Sequence, residues 1–169
     1  MARVIEGFLT PPQGRFALCV SRFNSFITEH LLHGAQDALI RHGVADGDID
    51  VFRVPGTFEL PGLVRRVAEG GQYAGVVALG CVIRGGTPHF EYVAGEVSKG
   101  IGQIALTAPC AVSFGVLTCD TVEQAVDRAG VKAGNKGADA AMACLEMVNL
   151  YARMAEVGRK RLAEVGKKR

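Results

Sequence analysis

The residues able to do chemistry fall into four short clusters, each after or within an apolar run: Ser21-Arg22-Phe23-Asn24, Pro55-Gly56-Thr57-Phe58-Glu59, Ile83-Arg84-Gly85-Gly86-Thr87-Pro88-His89, and the stretch around Phe114-Gly115. His89 is the only histidine in them. It is the best proton-transfer candidate, because imidazole is the side chain that ordinarily titrates near neutrality. A capping or solvent-facing histidine is the equal alternative. Gly85-Gly86-Thr87, ahead of a helical segment, is an anion-binding arrangement, since free backbone N–H groups and the positive end of the helix dipole point the same way. Alone, a Gly-Gly pair fits a simple tight turn as well. Arg128 can supply the planar fork that suits a phosphate, or stand as an exposed arginine favoured by a helix C-terminus.

Phe23, Phe58 and Phe114 lie in or beside these clusters and can stack on a flat heterocycle. Core packing is the favoured reading for Phe58 and the weaker one for Phe23, which Arg22 and Asn24 flank. Glu59 can accept hydrogen bonds from a polyol or complement a helix dipole. His30 and His33 are one helical turn apart, but no third ligand has suitable spacing, so they read as surface residues and no metal site is expected. His42, beside Gly43, reads as a helix cap.

Strands and helices must alternate to present these clusters. Strands are expected at Arg15 to Val20, Asp50 to Val54, Gly75 to Ile83 and Ala111 to Leu117. The third is apolar throughout, as a strand covered on both faces should be. Helices are expected from Ser25 to His42 with Asn24 as cap, from Glu59 to Glu69, and from about Pro88 to Thr107 with Thr87 as cap. A short helix opens on a capping box of Asp120 and Glu123, and a last one runs from about Ala138 to Ala155. Such alternation predicts an α/β fold, a parallel sheet with helices on both faces, and ligands collect outside the carboxyl ends of its strands. Arg3 to Leu9 reads as a further short strand closed off by Pro11-Pro12. With no helix to return it, it pairs at an edge or adds to a neighbouring subunit's sheet.

At 169 residues, 49% hydrophobic and 21% charged, the chain suits one domain with a substantial core. No stretch is apolar for the length of a membrane span. Five cysteines, an odd number without C-x-x-C spacing, sit mostly in apolar runs and read as reduced, buried thiols of a cytoplasmic protein. The net charge of +2 conceals a basic tail, since residues 158–169 hold six of the basic side chains and one glutamate. Ala155 to Arg161 is nearly repeated as Ala163 to Arg169. No aromatic residue is interleaved to stack on bases, so the tail reads as a solvated helix end and nucleic acid is not expected as a partner. Residues 1–157 are taken as the functional domain, with 1–12 as its arm, and 158–169 as an appended tail.

Four segments in order, Arg22-Phe23-Asn24, Val54-Pro55-Gly56-Thr57-Phe58-Glu59-Leu60-Pro61, Gly80-Cys81-Val82-Ile83-Arg84-Gly85-Gly86-Thr87-Pro88-His89-Phe90 and Arg128 to Gly137, closely resemble the motifs of 6,7-dimethyl-8-ribityllumazine synthases. The likeness runs from the first strand to about Tyr151. It implies a flavodoxin-like three-layer α/β/α sandwich on a four-stranded parallel sheet. It implies condensation of 5-amino-6-(D-ribitylamino)uracil with 3,4-dihydroxy-2-butanone 4-phosphate, the penultimate step of riboflavin biosynthesis, without metal or organic cofactor. Phe23 then stacks on the pyrimidine beside Asn24, while Thr57, Phe58 and Glu59 hold the ribityl chain. Cys81, Val82 and Ile83 line the ring edge, and Phe114 closes the pocket from an adjacent subunit. Gly86, Thr87 and Arg128 bind the phosphate with Lys136 nearby, and His89 transfers protons.

The resemblance further implies a homo-oligomer, a pentamer that in some members docks into decamers or icosahedral shells. The compact Gly130 to Gly137 connection fits the shell-forming type. The competing readings are a non-catalytic flavin or lumazine carrier and a shell protein that has lost catalysis.

Overall fold

The computed structural model describes residues 2–10 and 13–166, with side chains as far as Arg161. Pro11-Pro12, the side chains from 162 onward and residues 167–169, which include three of the tail's basic residues, lie outside the described residues.

Four strands, β1 (Arg15–Ser21), β2 (Ile49–Val54), β3 (Tyr73–Ile83) and β4 (Ala111–Cys119), form one sheet in the order β2-β1-β3-β4. All three pairings are parallel. Helices α1 (Ser25–Arg41), α2 (Leu60–Glu69), α3 (His89–Thr107), α4 (Val122–Arg128) and α5 (Lys136–Gly166) connect and cover the strands. The flavodoxin-like α/β/α sandwich is therefore as expected.

Alternation along the central strands builds two cores, one on each face. Phe16, Leu18 and Val20 of β1 and Val77, Leu79 and Cys81 of β3 pack under α1 and α5. Ala17 and Cys19, with Val76, Ala78 and Val82, pack under α2 and α3. Both central strands are thus buried on two sides, which explains their continuous apolar runs. Where α5 crosses α1 there is no room for a side chain, because a Cβ on Gly137 would lie 2.0 Å from the Leu31 carbonyl oxygen. All five cysteines are free and buried. Burial pushes the thiols of Cys19, Cys81 and Cys144 up to about 12, so none ionises near neutral pH. Among the described residues no helix is long and apolar enough to cross a membrane.

Several local expectations are corrected. Thr87 does not cap α3, which begins at His89 after Pro88. Thr121, in extended backbone directly before the first helical residue, caps α4 in place of Asp120 by accepting from the Gln124 N–H at 3.3 Å. A cap must occupy that non-helical position, and the capping-box spacing alone misplaced it by one. The last helix starts two residues early because the Asn135 side chain accepts from the N–H groups of Gly137 and Ala138. It also runs well past Ala155, through a stretch rich in helix-forming Ala, Glu, Arg and Lys. Strand β4 continues to Cys119, which leaves Phe114 in mid-strand opposite Ala78, away from the carboxyl end.

Residues 2–8 form no strand with the chain's own sheet. They lie along α5, where Arg153 donates to the Glu6 carbonyl at 2.8 Å and stacks 4.4 Å from the Phe8 ring centre. Asn149 holds the Thr10 carbonyl at 3.0 Å.

Candidate active site

In the order β2-β1-β3-β4, the chain leaves β1 toward one edge and leaves β3 toward the other. The loops after these two strands therefore diverge and open a crevice at their carboxyl ends. A cleft of ≈ 630 Å³ occupies this place.

Hydrogen bonds tie its walls together. Arg22 and Phe23 donate their backbone N–H groups to the carbonyls of Val54 and Pro55, at 2.8 and 3.1 Å, which fixes the loop after β1 to the end of β2. Asn24 adopts the left-handed conformation (φ 58°, ψ 44°). It precedes α1 as expected, but its side chain makes no cap and instead donates to the Cys81 carbonyl at 2.9 Å. Buried Thr57 directs its one O–H toward Ser21 Oγ (3.3 Å) and the same Cys81 carbonyl (3.5 Å). Two loops thus meet at one carbonyl near the end of β3.

On this frame the cleft wall carries Phe23, Asn24, Thr57, Phe58 and Glu59 from the first two loops. Cys81, Val82 and Ile83 come from the end of β3, Thr87 from the loop after it and His89 from the start of α3. Phe23 is 69% exposed and Phe58 57%, so core packing is overturned for Phe58 and both rings offer a free face. Thr57 to Glu59 form a 3-10 turn in which Glu59 accepts from the Gly56 N–H at 2.9 Å. One carboxylate oxygen is engaged there and the group can still accept from a polyol. His89, the first residue of a 19-residue helix, stands exposed at its N-terminus. Exposed aromatic rings, a histidine and residues of the glycine loop therefore line one crevice.

The chain matches the 6,7-dimethyl-8-ribityllumazine synthase family over residues 13–152. It belongs to that family. It is 68% identical to the 6,7-dimethyl-8-ribityllumazine synthase of Myxococcus xanthus (strain DK1622), over 95% of this chain and 99% of the relative. Against the enzyme of the same name from Anaeromyxobacter sp. (strain Fw109-5) the identity is 65%, over 95% and 99%. A third such relative, from Anaeromyxobacter sp. (strain K), is 64% identical over 90% and 94%.

Within this lumazine synthase family chain, four of the site residues expected from the sequence lie outside the cleft wall: Gly86, Arg128, Phe114 and Lys136. Gly86 lies between the wall residues Gly85 and Thr87. Arg128 ends α4, donating to the Gln124 carbonyl at 3.0 Å. Burial pushes the Cys119 thiol up, and the Arg128 charge opposes this. Phe114 is 43% exposed on the edge strand, and Lys136 pairs with Asp139 at 2.7 Å.

Sequence reasoning missed Tyr92 and Val93, which also line the cleft. Their signal was available, since positions three and four residues after His89 share its helix face. Asn135 was missed too. It joins its Nδ2 to the carbonyls of His30 (2.8 Å) and Ala129 (3.1 Å) besides capping α5, and no spacing rule marks that contact. Among the described residues no three His, Cys, Asp or Glu side chains are grouped to hold a metal ion.

Asn24 does two separable jobs, a left-handed backbone and a bond to Cys81. Asn24→Gly keeps the first and Asn24→Ala loses both, so the alanine variant should be less stable by about 1–2 kcal/mol. Denaturant unfolding of the two variants checks this, and equal midpoints would contradict it.

Proposed function

We propose that this chain condenses 5-amino-6-(D-ribitylamino)uracil with 3,4-dihydroxy-2-butanone 4-phosphate to give 6,7-dimethyl-8-ribityllumazine, as the names of its relatives suggest. The observation that carries the reading is the meeting of an open Phe23 ring, a glycine loop at a helix N-terminus and His89 around one crevice. Phe23 receives the flat pyrimidine, with Asn24 beside it and Cys81, Val82 and Ile83 along its edge. Thr57, Phe58 and Glu59 take the ribityl chain. Gly86 and Thr87 present N–H groups to the phosphate, and Arg128, with Lys136 nearby, adds positive charge.

The 5-amino group adds to the ketone and forms an imine. Phosphate loss, tautomerisation, ring closure and dehydration follow, with His89 moving protons. Holding two reactants in register can contribute several kcal/mol by itself, so geometry outweighs any single acid or base. Residues 1–157 form the catalytic unit and 158–169 an appendage. The setting is cytoplasmic, in keeping with five reduced thiols.

The chain works as a homo-oligomer, on the family pattern a pentamer, which in some members docks further into decamers or shells. Among the described residues the edge strands β2 and β4 have free outer edges, the arm exposes Val4 and Phe8, and Phe114 is exposed away from its own cleft. A neighbour's Phe114 then closes each cleft, and the arm can add to a neighbour's sheet edge.

Mixing the purified protein with both substrates should generate lumazine absorbance. A bound chromophore without turnover would favour the carrier reading instead. His89→Ala should lower kcat by about 10²-fold and leave measurable activity. Complete inactivity in a correctly assembled variant would contradict this. Arg128→Ala should raise KM for the phosphate substrate about ten- to a hundredfold, the loss of one or two charge-assisted hydrogen bonds, with little change for the pyrimidine. Unfolding and co-refolding Phe23→Ala with Phe114→Ala chains should restore part of the activity both lack, because some clefts then take each aromatic from a different chain. No restoration in mixed assemblies would refute a shared site.

A further inference from the structure

The loop between β3 and α3 has little internal support where the proposed chemistry needs it held still. A Cβ on Gly85 or on Gly86 would meet no atom within 4 Å, and Arg84 through His89 are exposed. Two glycines whose side-chain positions face open space carry much conformational entropy unless both ends of their loop are fixed. Arg84 fixes both. Its backbone N–H donates to the Cys119 carbonyl at 2.9 Å and its Nε to Asp120 Oδ1 at 2.7 Å. Its Nη1 donates to the Glu91 carboxylate, and its guanidinium lies 4.2 Å from the centre of the Phe90 ring, which lines the cleft. Glu91 lies seven residues further on, past the glycines, so this pair closes the loop on itself. Asp120 fastens the closed loop to the turn after β4.

The same contacts have an electrostatic consequence. Without the guanidinium, two carboxylates would flank a loop whose N–H groups are to receive an anion. Arg84 holds the Glu91 carboxyl below its usual range. Arg84 itself is not part of the cleft wall, so it acts on a ligand through the loop.

We propose that Arg84 is a positioning residue for the phosphate-bearing substrate: it closes the Gly85 to Thr87 loop and cancels the charges of Glu91 and Asp120. This rests on the reading of that loop as the phosphate site. The test is steady-state kinetics on the full chain, each substrate varied in turn, with inorganic phosphate as the competing probe. Arg84→Ala raises KM for the butanone phosphate and the inhibition constant of inorganic phosphate together, on the order of tenfold. The KM for the pyrimidine and kcat change by less than about twofold. Adding Asp120→Asn to Arg84→Ala recovers part of the loss, because one uncancelled carboxylate is gone. A purely structural support would show no such recovery. Arg84→Lys, which keeps the charge but lacks the fork, falls between the native chain and Arg84→Ala; should Arg84→Ala fail to fold, Arg84→Gln, which keeps much of the side chain's length without its charge, carries the same comparison with and without Asp120→Asn.

Equal changes in both KM values, or a double variant no better than the single one, overturn the proposal. Inhibition by phosphate that Arg84→Ala leaves unaltered overturns the role of Arg84 alone. If inorganic phosphate does not compete with the butanone phosphate on the unaltered chain, the phosphate reading of the loop fails and Arg84's role falls with it.

Discussion

The carbonyl oxygen of Cys81, buried near the end of the central strand β3, is the point on which the cleft is built. Asn24 donates to it from the loop after β1, and Thr57 approaches it from the loop after β2. The two donors come from different loops, and their acceptor lies on the strand whose own following loop leaves toward the opposite edge of the sheet. A buried carbonyl needs a partner, and two loops that must both reach it cannot move independently. The left-handed backbone at Asn24 is the local strain that this arrangement holds in place.

From that anchor the division of labour around the cleft follows. The walls contributed by β1 and β2 are fastened by backbone hydrogen bonds and carry the aromatic faces. The wall contributed by β3 and α3 carries a loop of glycines whose Cβ positions face open space, held at its ends by an arginine between two carboxylates. Rigid stacking surfaces suit a flat ring, and an open, N–H-rich loop suits a tetrahedral anion. Exposed ion pairs of this kind add little to global stability, so the importance of Arg84 lies in loop geometry and local charge.

The element order, the two-faced burial of β1 and β3, and the choice of loops were legible because they depend on hydrophobic periodicity and on the rule that parallel strands present ligands at their carboxyl ends. Phe23 was legible for a local reason, a large aromatic between Arg22 and Asn24. Phe58 was not, since nothing in its neighbours tells a ring facing the cleft from one facing the core. Helix limits were the weakest reading. Pro88, Asp120 and Ala138 each stood one or two residues from the true boundary, because caps depend on the backbone conformation of one residue, which composition does not specify.

The sequence by itself determined the fold class, the family and which residue types surround the chemistry, because motifs and periodicity are local properties of the chain. Only the tertiary structure decided that Asn24 and Thr57 meet at one carbonyl and that Asn135 bridges α1 to α5. It also decided that Arg84 links two loops, and that Phe114 and Lys136 stand apart from the cleft of their own chain. These are contacts between positions distant in sequence. They are set by strand order and helix packing, for which no single segment carries a signal.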